Sequence, residues 1–120
     1  MGTKPDIDQW STQFRKGLAE LCVLAAVRRK GEVYGYQLVQ YLAEHEGLEL
    51  TESTVYPLLA RLARLGYLSV TSNPSPNGPP RRYYRITQSG RLALSMMIDR
   101  WIRVGHSIQS IIGENLMQEK

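Results

Sequence analysis

The chemistry most legible in this 120-residue chain is cationic and sits in one stretch. Between Ser53 and Ile98 there are six arginines (Arg61, Arg64, Arg81, Arg82, Arg85 and Arg91) and no acidic residue. Guanidinium groups stay charged at any physiological pH and present a fork of donors that matches phosphate oxygens. The acids of the middle of the chain, Glu44, Glu46, Glu49 and Glu52, fall just before the stretch. A helix followed by an arginine-based β-hairpin is what a winged helix–turn–helix uses to hold DNA, so double-stranded DNA is the expected partner. Catalysis has no comparable footing. His45 and His106 lie far apart, and no nucleophile elbow, phosphate loop or metal-ligand spacing is present. Asp99 is placed to pair with Arg103 one helical turn on. No enzymatic activity, cofactor or metal is expected.

Composition narrows the setting. The formal charge of +4 is modest, so the distribution of charge carries more information than its total. Cys22 is the only cysteine, which leaves no intrachain disulfide and no thiolate metal cluster. Within LAELCVLAAV it reads as a buried small hydrophobe. No apolar run approaches the ~20 residues that span a bilayer. MGTKPDIDQW lacks the apolar core of a signal peptide, and Asp6 stands where a myristoylation signal has Ser or Thr. A cytoplasmic protein with no membrane partner is expected.

The elements that must position the arginines follow from periodicity. The fold class is mainly α with a small β-hairpin: a winged helix–turn–helix plus a long C-terminal helix. A first helix is predicted from Asp8 or Ser11 to about Arg29, with Trp10, Phe14, Leu18, Leu21, Cys22 and Ala25 on one face. GEVYGYQL reads as a turn, and a second helix runs from about Tyr36 to Glu46, with Gly47 as its stop. Thr51 is a good N-cap for a third helix, whose Val55, Leu58, Leu59, Leu62 and Leu65 cluster on one side. Its other side carries Ser53, Pro57, Ala60, Arg61 and Arg64, flanked by Thr54 and Tyr56. YLSVT is a strand. SNPSPNGPP reads as an irregular loop with its tip near Asn77-Gly78, and RRYYRIT is the return strand. The expected DNA-binding residues are therefore Tyr36, Ser53, Thr54, Tyr56, Pro57, Arg61, Arg64, Asn77, Gly78, Arg81 and Arg82. Short groups near the start of the third helix suit base edges, and the arginines suit phosphates.

A last helix is predicted after Gly90. Leu94, Met97, Trp101, Val104, Ile108 and Ile111 step by three and four alternately, which is a heptad seam. Ile98, Ile102, Ile112 and Leu116 form a second stripe. The preceding elements make a closed unit, so this broad face points to a second copy of the chain, with Trp10 and Phe14 joining the homodimer interface. The division expected is 1–89 for DNA binding and 90–120 for dimerisation. Trp101 has two readings: it fills the interface, or two copies hold the helices apart and leave a slot for a small planar aromatic ligand. Such a ligand would touch Trp101, Ile98, Gly105 and Phe14.

These pieces resemble the PadR family of bacterial transcription regulators. KGLAELCVLAAV and VYGYQLVQYL match its first two helices. STVYPLLARLARLGYL matches the recognition helix and first wing strand, and GPPRRYYRITQSG the rest of the wing. The resemblance implies a dimeric repressor at an inverted-repeat operator, in the small subgroup that includes multidrug-sensing members. In those members a tryptophan on the dimerisation helix stacks on planar ligands, and Trp101 stands at the same distance after Gly90. Gly105 occupies a site where an acid would serve cationic drugs. The competing reading is a winged-helix protein-docking module without DNA binding, which calls for a mixed or apolar wing in place of this acid-free one.

Overall fold

The computed structural model describes residues 4–113 and 115. In chain order the elements are α1 (Asp8–Lys30), β1 (Val33–Tyr34), α2 (Gly35–Ala43), α3 (Glu52–Arg64), β2 (Leu68–Ser75), β3 (Gly78–Ile86) and α4 (Gln88–Ile112). The strands form one antiparallel sheet in the order β1-β3-β2. This is the expected winged helix fold with a long C-terminal helix.

The core explains why the short elements hold. Ala19, Val23, Ala26 and Val27 recur at three- and four-residue steps on α1 and are buried with Leu24. They pack with Leu38 and Leu42 of α2, Val55, Leu59 and Leu62 of α3, and Val33, Leu68 and Tyr84 of the sheet. A helix of nine residues such as α2 is too short to persist alone in water. Full burial of Leu38 and near-full burial of Leu42, worth about 1.5–3 kcal/mol each, is what keeps it helical.

Several local expectations are corrected. The turn GEVYGYQL contains a strand: Val33 pairs with Tyr84 and Tyr34 with Tyr83. Two residues are too few to show a period. The second helix stops at Ala43 rather than Glu46, and the connection turns through positive φ at Gly47 and Glu49. Thr51 is the N-cap residue of α3, but its hydroxyl meets the Ser53 hydroxyl at 2.9 Å and caps no backbone N–H. The segment SNPSPNGPP is mostly strand. β2 runs to Ser75 and β3 begins at Gly78, leaving Pro76-Asn77 as the turn. Proline lacks a donor but readily takes an extended φ, so it is tolerated on a ribbon whose edges need few ladder bonds. A register shift between Asn73 and Ser75 absorbs Pro74.

α4 begins at Gln88, two residues before Gly90, because Thr87 caps it with a side-chain oxygen that accepts from the Gly90 N–H at 3.0 Å. The expected 89/90 division thus falls in the first turn of this helix, whose Gly90 and Leu94 are buried. Leu94 is 2 % exposed within its own chain and belongs to the core, so it is not available to a seam between copies. Met97 and Ile98 are half-buried against the same core. The first half of α4 therefore packs on its own chain, chiefly on α1, and only its second half projects. Leu116 of the second stripe lies outside the described residues.

Candidate nucleic-acid interface

The face begins with α3. Its Ser53, Tyr56, Pro57, Ala60, Arg61 and Arg64 are exposed, whereas Thr54 is half-buried toward Thr12 and Arg15 of α1. Pro57 stands inside the helix, leaving the Ser53 carbonyl without its usual donor four residues on. The wing rises beside it. β2 and β3 stay paired from Leu68↔Ile86 to Ser75↔Gly78, far beyond the two pairs that β1 contributes. A two-stranded ribbon thus projects with Asn77 and Gly78 at its tip, Arg81 opposite Asn73 and Arg82 opposite Ser72.

Between α3, the start of α2 and the ribbon lies a cup of about 520 Å³. Tyr34, Tyr36, Tyr56 and Ala60 line one side, and Asn77, Gly78, Arg81 and Arg82 the other. Gly35 makes this closeness possible. A Cβ built there would lie 2.6 Å from Cε1 of Tyr56, so only glycine lets that ring sit against the first turn of α2. Burial, followed by the nearby Glu52 carboxylate, raises the Tyr56 phenol above its ordinary pKa. A raised folded-state value means its contribution is present below the unfolded pKa and fades only as pH climbs through the folded one. Tyr56 is therefore a neutral hydroxyl donor throughout the neutral range. Tyr34 and Gly35 join the site without having been expected there, although the YGY triplet that holds them is a visible signal in the sequence.

The arginines divide into two groups. The acid-free stretch of the sequence is not acid-free in space. Arg85 Nε donates to Glu32 Oε2 at 3.0 Å, and Arg61 Nε lies 3.7 Å from Glu20 Oε2 of α1. Sequence reasoning finds neither partner, since carboxylates 41 and 53 positions away leave no local pattern. Among the described residues Arg64, Arg81 and Arg82 have no carboxylate within ion-pair distance. Arg81 instead lies 4.8 Å over the ring of Tyr34, itself 5.6 Å from Tyr83. A cation over a ring keeps its charge and gains about 0.5–1 kcal/mol of positioning at an exposed site.

Away from this face, Trp10 and Phe14 are exposed with their rings stacked 5.3 Å apart. Trp101, Val104, Ile108 and Ile111 are exposed on α4. A groove of about 430 Å³ separates α1 from α4, lined by Gly17, Leu18, Glu20, Leu21, Met96, Met97, Arg100 and Trp101. Of the residues expected at a ligand slot only Trp101 lines it. Phe14, Ile98 and Gly105 do not. No helix among the described residues is long and apolar enough to cross a membrane.

Residues 23–96 match the family model described as the Transcriptional regulator PadR-like family. The chain belongs to that family. A PadR family transcriptional regulator from Eggerthella lenta shares the PadR-like fold with a TM-score of 0.80 at 29% identity, over 88% of this chain and 91% of that one. A transcriptional regulator of Mycobacterium tuberculosis is 42% identical over 64 residues, 53% of this chain and 58% of the relative. Bacillus subtilis PadR, solved in complex with operator DNA, matches with a TM-score of 0.60 at 25% identity, covering 68% of this chain and 46% of that one. In this PadR-like chain the helix–turn–helix is α2 and α3, and the wing is β2 and β3.

Proposed function

We propose that this PadR-like regulator is a repressor that binds an inverted-repeat operator as a homodimer. The observation that carries the reading is the assembly of one cationic face from the recognition helix and the wing. The recognition helix presents Ser53, Tyr56 and Pro57 at its start and Arg64 at its end, and the wing sets Arg81 and Arg82 beside it with no carboxylate against them among the described residues. The B-form major groove is about 12 Å wide and admits a helix such as α3, while a flanking ribbon can reach phosphates or the minor groove. The B. subtilis PadR complex with operator DNA supports the same reading. The exposed apolar residues of α1 and the second half of α4 support the dimer, because two half-sites are gripped only by two recognition helices.

The test is a gel shift of the pure protein with its own upstream region at rising salt. Changing Arg81 and Arg82 together to Ala is expected to weaken binding to all sequences about equally. It should also lower the slope of log affinity against log salt by roughly one unit for each phosphate that is no longer neutralised. An unchanged slope would mean that the wing is no phosphate clamp.

The ligand slot belongs to the same proposal. Trp101 stands at the mouth of the α1–α4 groove, and open space surrounds a Cβ built on Gly105 one turn on. A planar aromatic molecule shared by two subunits at Trp101 changes the angle between them and so the spacing of the two recognition helices. Planar aromatics are expected to quench tryptophan emission in the wild type and to lose most of that effect in Trp101→Ala, with Trp10 as internal reference. Quenching that survives the substitution would leave Trp101 as an interface residue only.

A further inference from the structure

Glu20 is the one carboxylate among the described residues that touches two working parts of the molecule. It lines the α1–α4 groove with Arg100 and Trp101, and it faces Arg61 of the recognition helix. The two arginine–carboxylate pairs near the DNA face differ in kind. Arg85 and Glu32 are hydrogen-bonded at 3.0 Å. Arg61 and Glu20 stand at 3.7 Å, a charge contact without a hydrogen bond, with the Arg61 side chain 56 % exposed and that of Glu20 30 % exposed. An exposed pair of this kind is worth at most about 1 kcal/mol, enough to bias Arg61 yet readily exchanged. A phosphate oxygen, which accepts a charge-assisted hydrogen bond, is the stronger competitor.

We infer that Glu20 is a positioning residue for DNA binding: in the free protein it holds Arg61 back from the phosphate backbone, and its carboxylate sets how much of Arg61 the DNA receives. The inference rests on the DNA-binding reading above. In the paired state Arg61 and Glu20 present no net charge to DNA. When the guanidinium swings to a phosphate, the charge left on Glu20 opposes the complex. The same residue lines the α1–α4 groove and so joins that groove to α3. Arg100 stands on the opposite side of the groove with no carboxylate within ion-pair distance among the described residues.

The experiment is a double-mutant cycle read by titration with the protein's own upstream DNA over a range of salt. Glu20→Gln keeps the side chain's shape and removes its charge. It is expected to tighten binding about three- to tenfold and to steepen the salt slope by part of a unit, as Arg61 engages phosphate more fully. In the Arg61→Ala background the same change is expected to give no gain. Glu46→Gln, on the exposed turn after α2, controls for the general effect of removing a negative charge and should change affinity by less than about twofold. If Glu20→Gln lowers stability, Arg61→Gln tests the pair from the other side without touching α1. It should flatten the wild-type salt slope by the part of a unit that Arg61 contributes while Glu20 competes for it. A loss of a full unit shows that Glu20 withholds nothing, and an unchanged slope shows that Arg61 never reaches phosphate; either overturns the inference. Unchanged or weaker binding by Glu20→Gln, or a gain as large in Arg61→Ala, overturns the inference. Failure of the wild type to bind its upstream DNA at all is a different outcome and removes the underlying reading instead.

Discussion

Gly90→Ala is expected to lower the thermal midpoint by roughly 10 °C, the largest loss expected from a Gly→Ala change among the described residues. Gly90 sits in the first turn of α4, where a Cβ would overlap the Tyr67 carbonyl oxygen and lie 2.8 Å from Cγ1 of Ile86. Neither neighbour yields easily, since one is backbone. That carbonyl also accepts the Thr87 N–H at 3.0 Å, while the Thr87 hydroxyl donates to the Gly66 carbonyl at 2.6 Å. Room for the methyl requires α4 to lift from the turn between α3 and β2, straining both bonds. Overpacking of this sort costs about 2–3 kcal/mol, and about 1 kcal/mol moves the midpoint of a domain this size by roughly 4 °C. Gly17→Ala is the matched control: mid-helix on α1, with nothing within 4 Å of its Cβ, it should raise the midpoint slightly. A shift below about 2 °C for Gly90→Ala, followed by circular dichroism, would show that α4 docks less tightly than its packing implies.

That same junction shows where sequence reasoning reaches and where it stops. Helical periodicity locates α1, α3 and α4, because each is long enough to repeat an apolar face several times. Gly66 and the period of RRYYRIT place the wing. Three features lie beyond any local pattern. β1 is two residues long, so its pairing with Tyr83 and Tyr84 is a purely tertiary fact. The ribbon formed by Ser72–Ser75 and Gly78–Pro80 looks like loop in composition. It is strand because an outlying hairpin needs extended dihedrals more than it needs donors. The ion pairs of Arg61 and Arg85 join residues far apart in the chain, so a count of acids along the sequence overstates the free positive charge of the face. The place of Leu94 is missed for a related reason. Its heptad spacing is real, but spacing alone does not say which copy of the chain covers a given turn. Leu94 is covered by its own core.

The proposed homodimer has only the second half of α4 left for its seam. Val104 is 47 % exposed in the single chain, between Trp101 and Ile108 on the part of α4 that projects beyond the core. Val104→Glu should therefore leave the monomer's helix content and packing nearly untouched. A charge there is harmless in water. In a homodimer paired along this stripe it is not, because each interface would take up two carboxylates with no cation facing them from the apolar side. Burying unpaired charge costs several kcal/mol, and about 3 kcal/mol already corresponds to more than a hundredfold in the dimer constant. Arg103 is already engaged with Asp99 at 2.9 Å, and Arg100, one turn earlier, lines the α1–α4 groove of its own chain rather than the exposed stripe. The variant is thus expected to sediment as a monomer at concentrations where the wild type is dimeric. Operator affinity should fall by at least about a hundredfold, since each recognition helix must then find its half-site alone. Non-specific binding, which depends on the arginines of a single face, should fall far less. A Val104→Glu protein that sediments as a dimer and keeps operator affinity would mean that the copies meet elsewhere, with the stacked Trp10 and Phe14 of α1 as the next surface to change.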